Sequence, residues 1–184
     1  RARADPYNAA LAKFMFETAV RIAQAVEMKP EDLDLRNLRV WIQAAKGHPA
    51  QWVDISHEMM VELANLPPKR PMNRITGERM EPCVFGYATR SGYRKRWKTI
   101  CKDAGIAYIS AHSAGRHGFA THVRHTLGFD AGSAMKAGRW NTQSAFDRYD
   151  HAPDVSREIR EQISTKSVHA GEIKSINPLK TGDK

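Results

Sequence analysis

A chain of 184 residues is long enough for one domain with a real core and marginal for two. With 41% hydrophobic and 27% charged residues it has the make-up of a folded globular protein, which excludes wholesale disorder, and 29 Lys+Arg against 20 Asp+Glu leave a formal charge of +9. Such a surplus favours a polyanionic partner, because neutralised phosphates release condensed counterions, while two distant cysteines, Cys83 and Cys101, exclude a disulfide framework or a cysteine-built zinc site.

No run of 18 apolar residues marks a membrane span, and the opening RARADPYNAA has no apolar signal core. A start at Arg rather than Met is the start expected of an excised or trimmed domain, with a further domain upstream. The first predicted element is one helix from Tyr7 to Val26, where Leu11, Phe14, Met15, Val20, Ile22, Ala23 and Val26 give a broad buried face. MKPE (28–31) ends it, and residues 31–35 read as a turn or a helical fragment. Residues 38–43 and 51–55 alternate apolar and polar positions around the turn chemistry of KGHP (46–49), so they predict a β-hairpin. Ser56 then caps a helix to about Leu66, and 67–73 is a connection. A helix follows from the run Arg90, Arg94, Lys95, Arg96 and Lys98 to Ala104. These five cations, interleaved with Tyr93 and Trp97, suit contact with a nucleic-acid backbone, although a solvated helix face is the plain alternative. Further helices are predicted at about 113–126, 130–137, 141–150 and 153–165, and the last residues read as a loose tail.

The most informative stretch is Ala111 to His151. It opens AHSAGRHGFATHV, with Arg116 in a helix-opening segment, and closes AGRWNTQSAFDRYDH, with Tyr149 nine residues after Trp140. An Arg at a helix start gains nothing from the helix dipole, which favours a functional reading. Upstream, TAVRIAQAV sets Arg21 among apolar neighbours, where a buried cation needs a partner, and AAKGHPAQWVDI sets Lys46 in the hairpin turn. These residue types suit metal-free phosphodiester transfer. Arginine forks hold the non-bridging oxygens, a ring N–H adds a donor, an acid protonates the departing 5′ oxygen, and a tyrosine attacks phosphorus. Metal sites fit less well: His112, His117, His122 and His125 lack a completing carboxylate or Cys, and HEMMV (57–61) is not HExxH.

The ordered set Arg21, Lys46, His112, Arg116, Trp140 and Tyr149 resembles the tyrosine recombinases, the phage-integrase family, over essentially the whole chain. RHGFAT (116–121) is close to that family's Arg-His-Thr-Phe-Ala-Thr, and GRW with YDH stands where it reads Gly-Gly-Trp or Gly-His and Tyr-x-His. The chain departs from the pattern at Ala19, where the family has Gly, at Gln24, where it often has Glu, and at Ser113, where it has His; His112 lies one residue further from Arg116, which a one-residue loop insertion would accommodate. The resemblance implies an α+β fold, mainly α-helical with a small antiparallel sheet. It implies a catalytic domain over 1–165, a tail over 166–184, and an N-terminal core-binding domain absent from this chain. In function it implies site-specific recombination of double-stranded DNA through a 3′-phosphotyrosyl intermediate. Tyr149 would be the nucleophile, Arg21 and Arg116 the clamp, Lys46 the acid, and His112 and Trp140 further donors, with no cofactor and no metal. It also implies self-association in a tetrameric synapse through the 153–165 helix, whose Val155, Ile159 and Ile163 recur every four residues, and a cytoplasmic, nucleoid-associated location. A catalytically degenerate DNA-binding protein and a type IB topoisomerase-like enzyme are the competing readings.

Overall fold

Asp5 opens the first helix. Its carboxylate accepts the backbone N–H groups of Tyr7 and Asn8 and, with Pro6 in the first turn, starts α1 (Pro6–Thr18), whose Leu11, Phe14 and Met15 are buried. The single helix expected as far as Val26 does not form. The Thr18 hydroxyl donates back to the Phe14 carbonyl at 2.6 Å, Ala19 turns left-handed at φ 51°, and Arg21 stands outside, as N-cap of the short α2 (Ile22–Val26). A left-handed Ala costs on the order of 1 kcal/mol. Two long-range hydrogen bonds offset it, because the turn frees the Thr18 and Ala19 carbonyls to accept from Arg139 and Arg116.

The computed structural model describes residues 5–45 and 47–150, and of 151–184 only 156, 157, 160 and 161. The chain divides into two units, Arg1–His151 and Ala152–Lys184. In the second, Arg157 pairs with Glu161 at 3.0 Å; the helix expected over 153–165 otherwise lies outside the described residues, as does the tail.

The turn or helical fragment expected over 31–35 appears as a 3₁₀ turn at Pro30–Asp32, and the rest of the stretch yields a strand instead, β1 (Leu33–Asp34). It pairs antiparallel with β2 (Arg39–Ile42), and β2 pairs with β3 (Gln51–Asp54), placing Val40 opposite Val53 and Trp41 opposite Trp52. The alternation of the hairpin holds: Val40, Ile42 and Val53 enter the core, while Trp41 and Trp52 meet edge-on at 5.2 Å on the other face. Ala45 and His48 exchange backbone hydrogen bonds of 3.0 Å at the hairpin tip. Ser56 caps α3 (His57–Ala64) by accepting from the Met59 N–H, and Thr89 caps α4 (Arg90–Asp103).

The chain is helical from Ala111 through Thr126, as predicted for 113–126, but not uniformly α. Helix α5 (Gly118–Thr121) lies between two π-helical turns, Ser113–His117 and His122–Thr126. Gly115 and Gly118 bring this run close to α1: a Cβ on Gly115 would stand 3.1 Å from the Met15 carbonyl oxygen. Asp130 and Thr142 cap α6 (Ala131–Gly138) and α7 (Gln143–Asp147). Helix α7 ends before the predicted limit, so Tyr149 lies in the turn beyond it, its N–H donating to the Phe146 carbonyl at 2.7 Å. Two buried clusters result. The larger holds Leu11, Phe14, Val40, Met59, Phe85 and Tyr93; the smaller holds Ala19, Phe119, Ala120, Ala134, Trp140 and Phe146. The architecture is α+β, mainly helical with a small antiparallel sheet.

Candidate active site

Arg116 is 2% exposed and is the only basic side chain in the core among the described residues. It does not open a helix, as its sequence context suggests. Ser110 caps that helix, its hydroxyl accepting from the Ser113 N–H at 3.0 Å, and Arg116 falls in the second turn. Its Nη1 donates to the Ala19 carbonyl at 2.7 Å, while Nε is buried with no hydrogen-bond partner. Its guanidinium lies 4.2 Å above the Trp140 ring and 5.2 Å from the Tyr149 ring. Burial and the neighbouring Arg21 pull its pKa down to about 10, although the Tyr149 hydroxyl works against them. It stays charged at neutral pH.

Trp140 is held over α6 by its own helix end. A Cβ on Gly138 would lie 1.7 Å from the ring, so this position has to be glycine for the indole to lie where it does. The Trp140 Nε1 is buried and unpaired. Between them Arg139 takes a left-handed conformation (φ 60°, ψ 53°) and sends Nη2 to the Thr18 carbonyl at 3.0 Å, leaving Nη1 buried and unpaired. Arg21 reaches the hairpin, its Nη2 3.3 Å from His48 Nε2. None of the three arginines meets a carboxylate among the described residues. The group therefore presents several unused donors and no negative charge of its own. Such a set wants an anion.

Tyr149 packs against His117, Trp140 and His112, with ring centroids 4.6, 5.4 and 5.6 Å away. Its hydroxyl lies 3.3 Å from His112 Nε2. The extra residue between His112 and Arg116 is taken up inside the helix and not by a loop insertion. The i→i+5 bonding of the π turn fits more residues into one turn, so a four-residue spacing brings both side chains to Tyr149. The next residue, Asp150, is gripped by Arg124 Nε at 3.3 Å and His125 Nε2 at 2.6 Å, which fixes the segment carrying the phenol. His122 meanwhile stacks on Phe16 at 5.4 Å. No cluster of three metal-ligating side chains occurs among the described residues.

Of the six residues expected at the site, Arg116, Trp140, Tyr149 and His112 meet directly. Arg21 joins them through charge and His48, and Lys46 lies outside the described residues. Two members escape a reading of the sequence. His48 looks there like turn chemistry, and Arg139 like context around Trp140; the only available signal for the latter is a charged residue at a helix end where glycine is usual. On α4, Arg90, Arg94, Lys95 and Lys98 are exposed and Arg96 is half-buried. The interleaved aromatics do not join them at the surface: Tyr93 is fully buried and Trp97 donates to the Ile109 carbonyl at 2.8 Å.

Burial first, then the surrounding arginines, lowers the pKa of both His48 and His112. Just below the ordinary histidine value of about 6.5 the unfolded chain therefore binds more protons than the fold, and stability rises with pH. Acidifying from about pH 7 to 5 should lower Tm through these two groups. His48→Gln with His112→Gln should flatten the calorimetric profile over that range, and an unchanged slope would contradict the assignment.

The model of the phage integrase family matches residues 2–155. Among solved structures, XerA recombinase superposes with a TM-score of 0.65 at 19% identity, over 90% of this chain and 60% of that one. XerH site-specific recombinase bound to a difH substrate gives 0.61 at 19%, over 91% and 47%. The integrase from mycobacterium phage Brujita gives 0.59 at 19%, over 83% and 48%. A comparison with curated protein sequences yields no match. The chain thus spans 47 to 60% of the length of these three structures, and at such identities the likeness is one of fold. No helix among the described residues is long and apolar enough to cross a membrane. Because the matched stretch takes in the arginine cluster, the hairpin and the Tyr149 turn together, the chain belongs to the phage integrase family.

Proposed function

We propose that this chain is the catalytic domain of a site-specific tyrosine recombinase, cutting and rejoining double-stranded DNA through a 3′-phosphotyrosyl link. One observation carries this reading: a phenol, Tyr149, set against a buried arginine whose Nε and neighbouring Trp140 N–H have no partner. A phosphodiester supplies what those donors lack. Arg21 and Arg116 take the non-bridging oxygens, and Trp140 adds a ring N–H. His112, kept neutral by burial and by Arg116, accepts the phenolic proton as the Tyr149 oxygen bonds to phosphorus. The bond from phosphorus to the 5′ oxygen then breaks, and Lys46 protonates that oxygen. Rejoining runs the same steps backwards, the phosphoester conserving the bond energy. Side chains provide every charge this scheme needs, so it calls for no cofactor.

The exposed cations of α4 (Arg90, Arg94, Lys95 and Lys98) and the half-buried Arg96 would grip the DNA backbone on either side of the cut. The four-residue recurrence of Val155, Ile159 and Ile163 favours a helix docking on a neighbouring protomer, as a tetrameric synapse requires. A cytoplasmic, nucleoid-associated location follows from such a substrate. The test uses a nicked duplex whose cleaved end diffuses away. A covalent protein–DNA adduct should survive denaturation, and peptide mass spectrometry should find the nucleotide on Tyr149. No adduct, or one on another residue, overturns the proposal.

A further inference from the structure

Arg139 is an awkward residue in three independent respects. Its backbone is left-handed, a conformation that costs a non-glycine residue on the order of 1 kcal/mol. Its guanidinium has five donors, yet only Nη2 has a partner, the Thr18 carbonyl, and Nη1 is buried with none. It also stands among like charges, with Arg116 and Arg21 the neighbours that disfavour its charge after burial itself. A space-filling side chain here would avoid the last two penalties, and glycine would avoid all three.

The position explains the charge. Arg139 borders a small hollow ringed by Arg21, Gln24, His48 and Gln51, and also an open one of about 280 Å³ beside Trp140, Lys136 and Asn141. It is the side chain common to the Arg21 side and the Trp140 side of the site, together with the hairpin residues His48, Pro49 and Gln51. An anion lying between Arg21 and the Trp140 indole would pass over it.

We propose that Arg139 is a third phosphate-binding arginine, donating to a non-bridging oxygen of the same scissile phosphodiester that Arg21 and Arg116 hold. This rests on the strand-cleavage reading above. The added cation does what a second fork does on a dianion-like transition state: it shares the charge that builds on the equatorial oxygens as phosphorus becomes five-coordinate. The hydrogen bond to Thr18 then serves to aim the fork.

Arg139→Gly tests this: glycine suits the left-handed backbone, and the substitution gives up the hydrogen bond to Thr18 on either substrate alike. On the nicked phosphodiester the rate of adduct formation should fall roughly 100-fold, the usual loss for one transition-state donor. On a substrate whose scissile phosphate is replaced by an uncharged methylphosphonate, the same substitution should change the rate by less than about threefold, since the charge it answers is gone. A loss equal on both substrates, or none on the phosphodiester, overturns the proposal. Arg139→Lys keeps one donor and the charge but not the fork, and should recover no more than about a tenth of the wild-type rate. DNA affinity measured against salt supplies a readout independent of cleavage: the log–log slope should become shallower by about 0.9 in Arg139→Gly. Should the wild type form no adduct, the cleavage reading fails by itself, and an unchanged slope would then overturn the role of Arg139 separately.

Discussion

Tyr149→Phe should abolish covalent attachment to DNA while leaving the fold and the affinity for DNA nearly unchanged. The ring, not the hydroxyl, holds this residue in place. It sits among His117, Trp140 and His112 at 4.6 to 5.6 Å and 5.2 Å from the Arg116 guanidinium, and phenylalanine preserves that packing. The hydroxyl itself approaches His112, at 3.3 Å, long for a hydrogen bond, and the Arg116 guanidinium, and removing it should change stability by about 1 kcal/mol. Next to it Asp150 remains held by Arg124 and His125, so the turn beyond α7 stays in place. The donors proposed to bind phosphate keep their places, and a filter-binding Kd should move by no more than about threefold. The proposed cleavage, by contrast, loses its phenol, since Tyr149 is the tyrosine packed on Arg116 and Trp140 among the described residues. An adduct formed by the phenylalanine variant would remove Tyr149 from the mechanism altogether.

Gly138→Ala should damage both stability and activity, although it adds a single methyl. That methyl would fall 1.7, 2.5 and 2.7 Å from three carbons of the Trp140 ring, distances no packing tolerates. The indole must swing away, and it is the centre of the smaller core: Phe119 stacks on it, Phe146 meets it edge-on and Tyr149 packs against it at a tilt. Overpacking of this kind costs about 1–3 kcal/mol, and Tm should drop by several degrees, on the order of 4 °C per kcal/mol. The larger effect is chemical. A displaced ring withdraws its N–H from the site and unstacks Arg116 at 4.2 Å, so adduct formation should fall at least about 100-fold. A crystal structure of the variant with the ring unmoved, or full activity at reduced Tm, would refute the argument. Ala137→Gly, at the exposed neighbouring position, is the control: it should cost stability alone.

What could be read from the chain were features written in neighbouring residues. Alternation around KGHP revealed the hairpin, Ser56 the start of α3, and the Trp140-to-Tyr149 spacing the segment that carries the phenol. The break in the first helix was hidden, because Val20, Ile22 and Ala23 continue the apolar period across it; the turn at Ala19 exists for the sake of arginines about a hundred residues away. Strand β1 is two residues long, too short for any periodicity. The π turns leave no mark in local propensity; the one at Ser113–His117 shows itself only in the way it turns His112 and Arg116 towards Tyr149. His48 and Arg139 likewise gain their meaning only from what surrounds them, and no local pattern separates a site arginine from a surface one.

The broken end of α1 has one last consequence. Its two freed carbonyls hold Arg116 and Arg139 at rest, and a helix C-terminus carries a partial negative charge. The free chain therefore keeps its cations assembled on uncharged carbonyls, weak partners that a true anion would outcompete. In the proposed reaction, incoming DNA would meet a socket that needs little reorganisation, and substrate-binding energy that would otherwise gather repelling side chains would be left to favour strand cleavage.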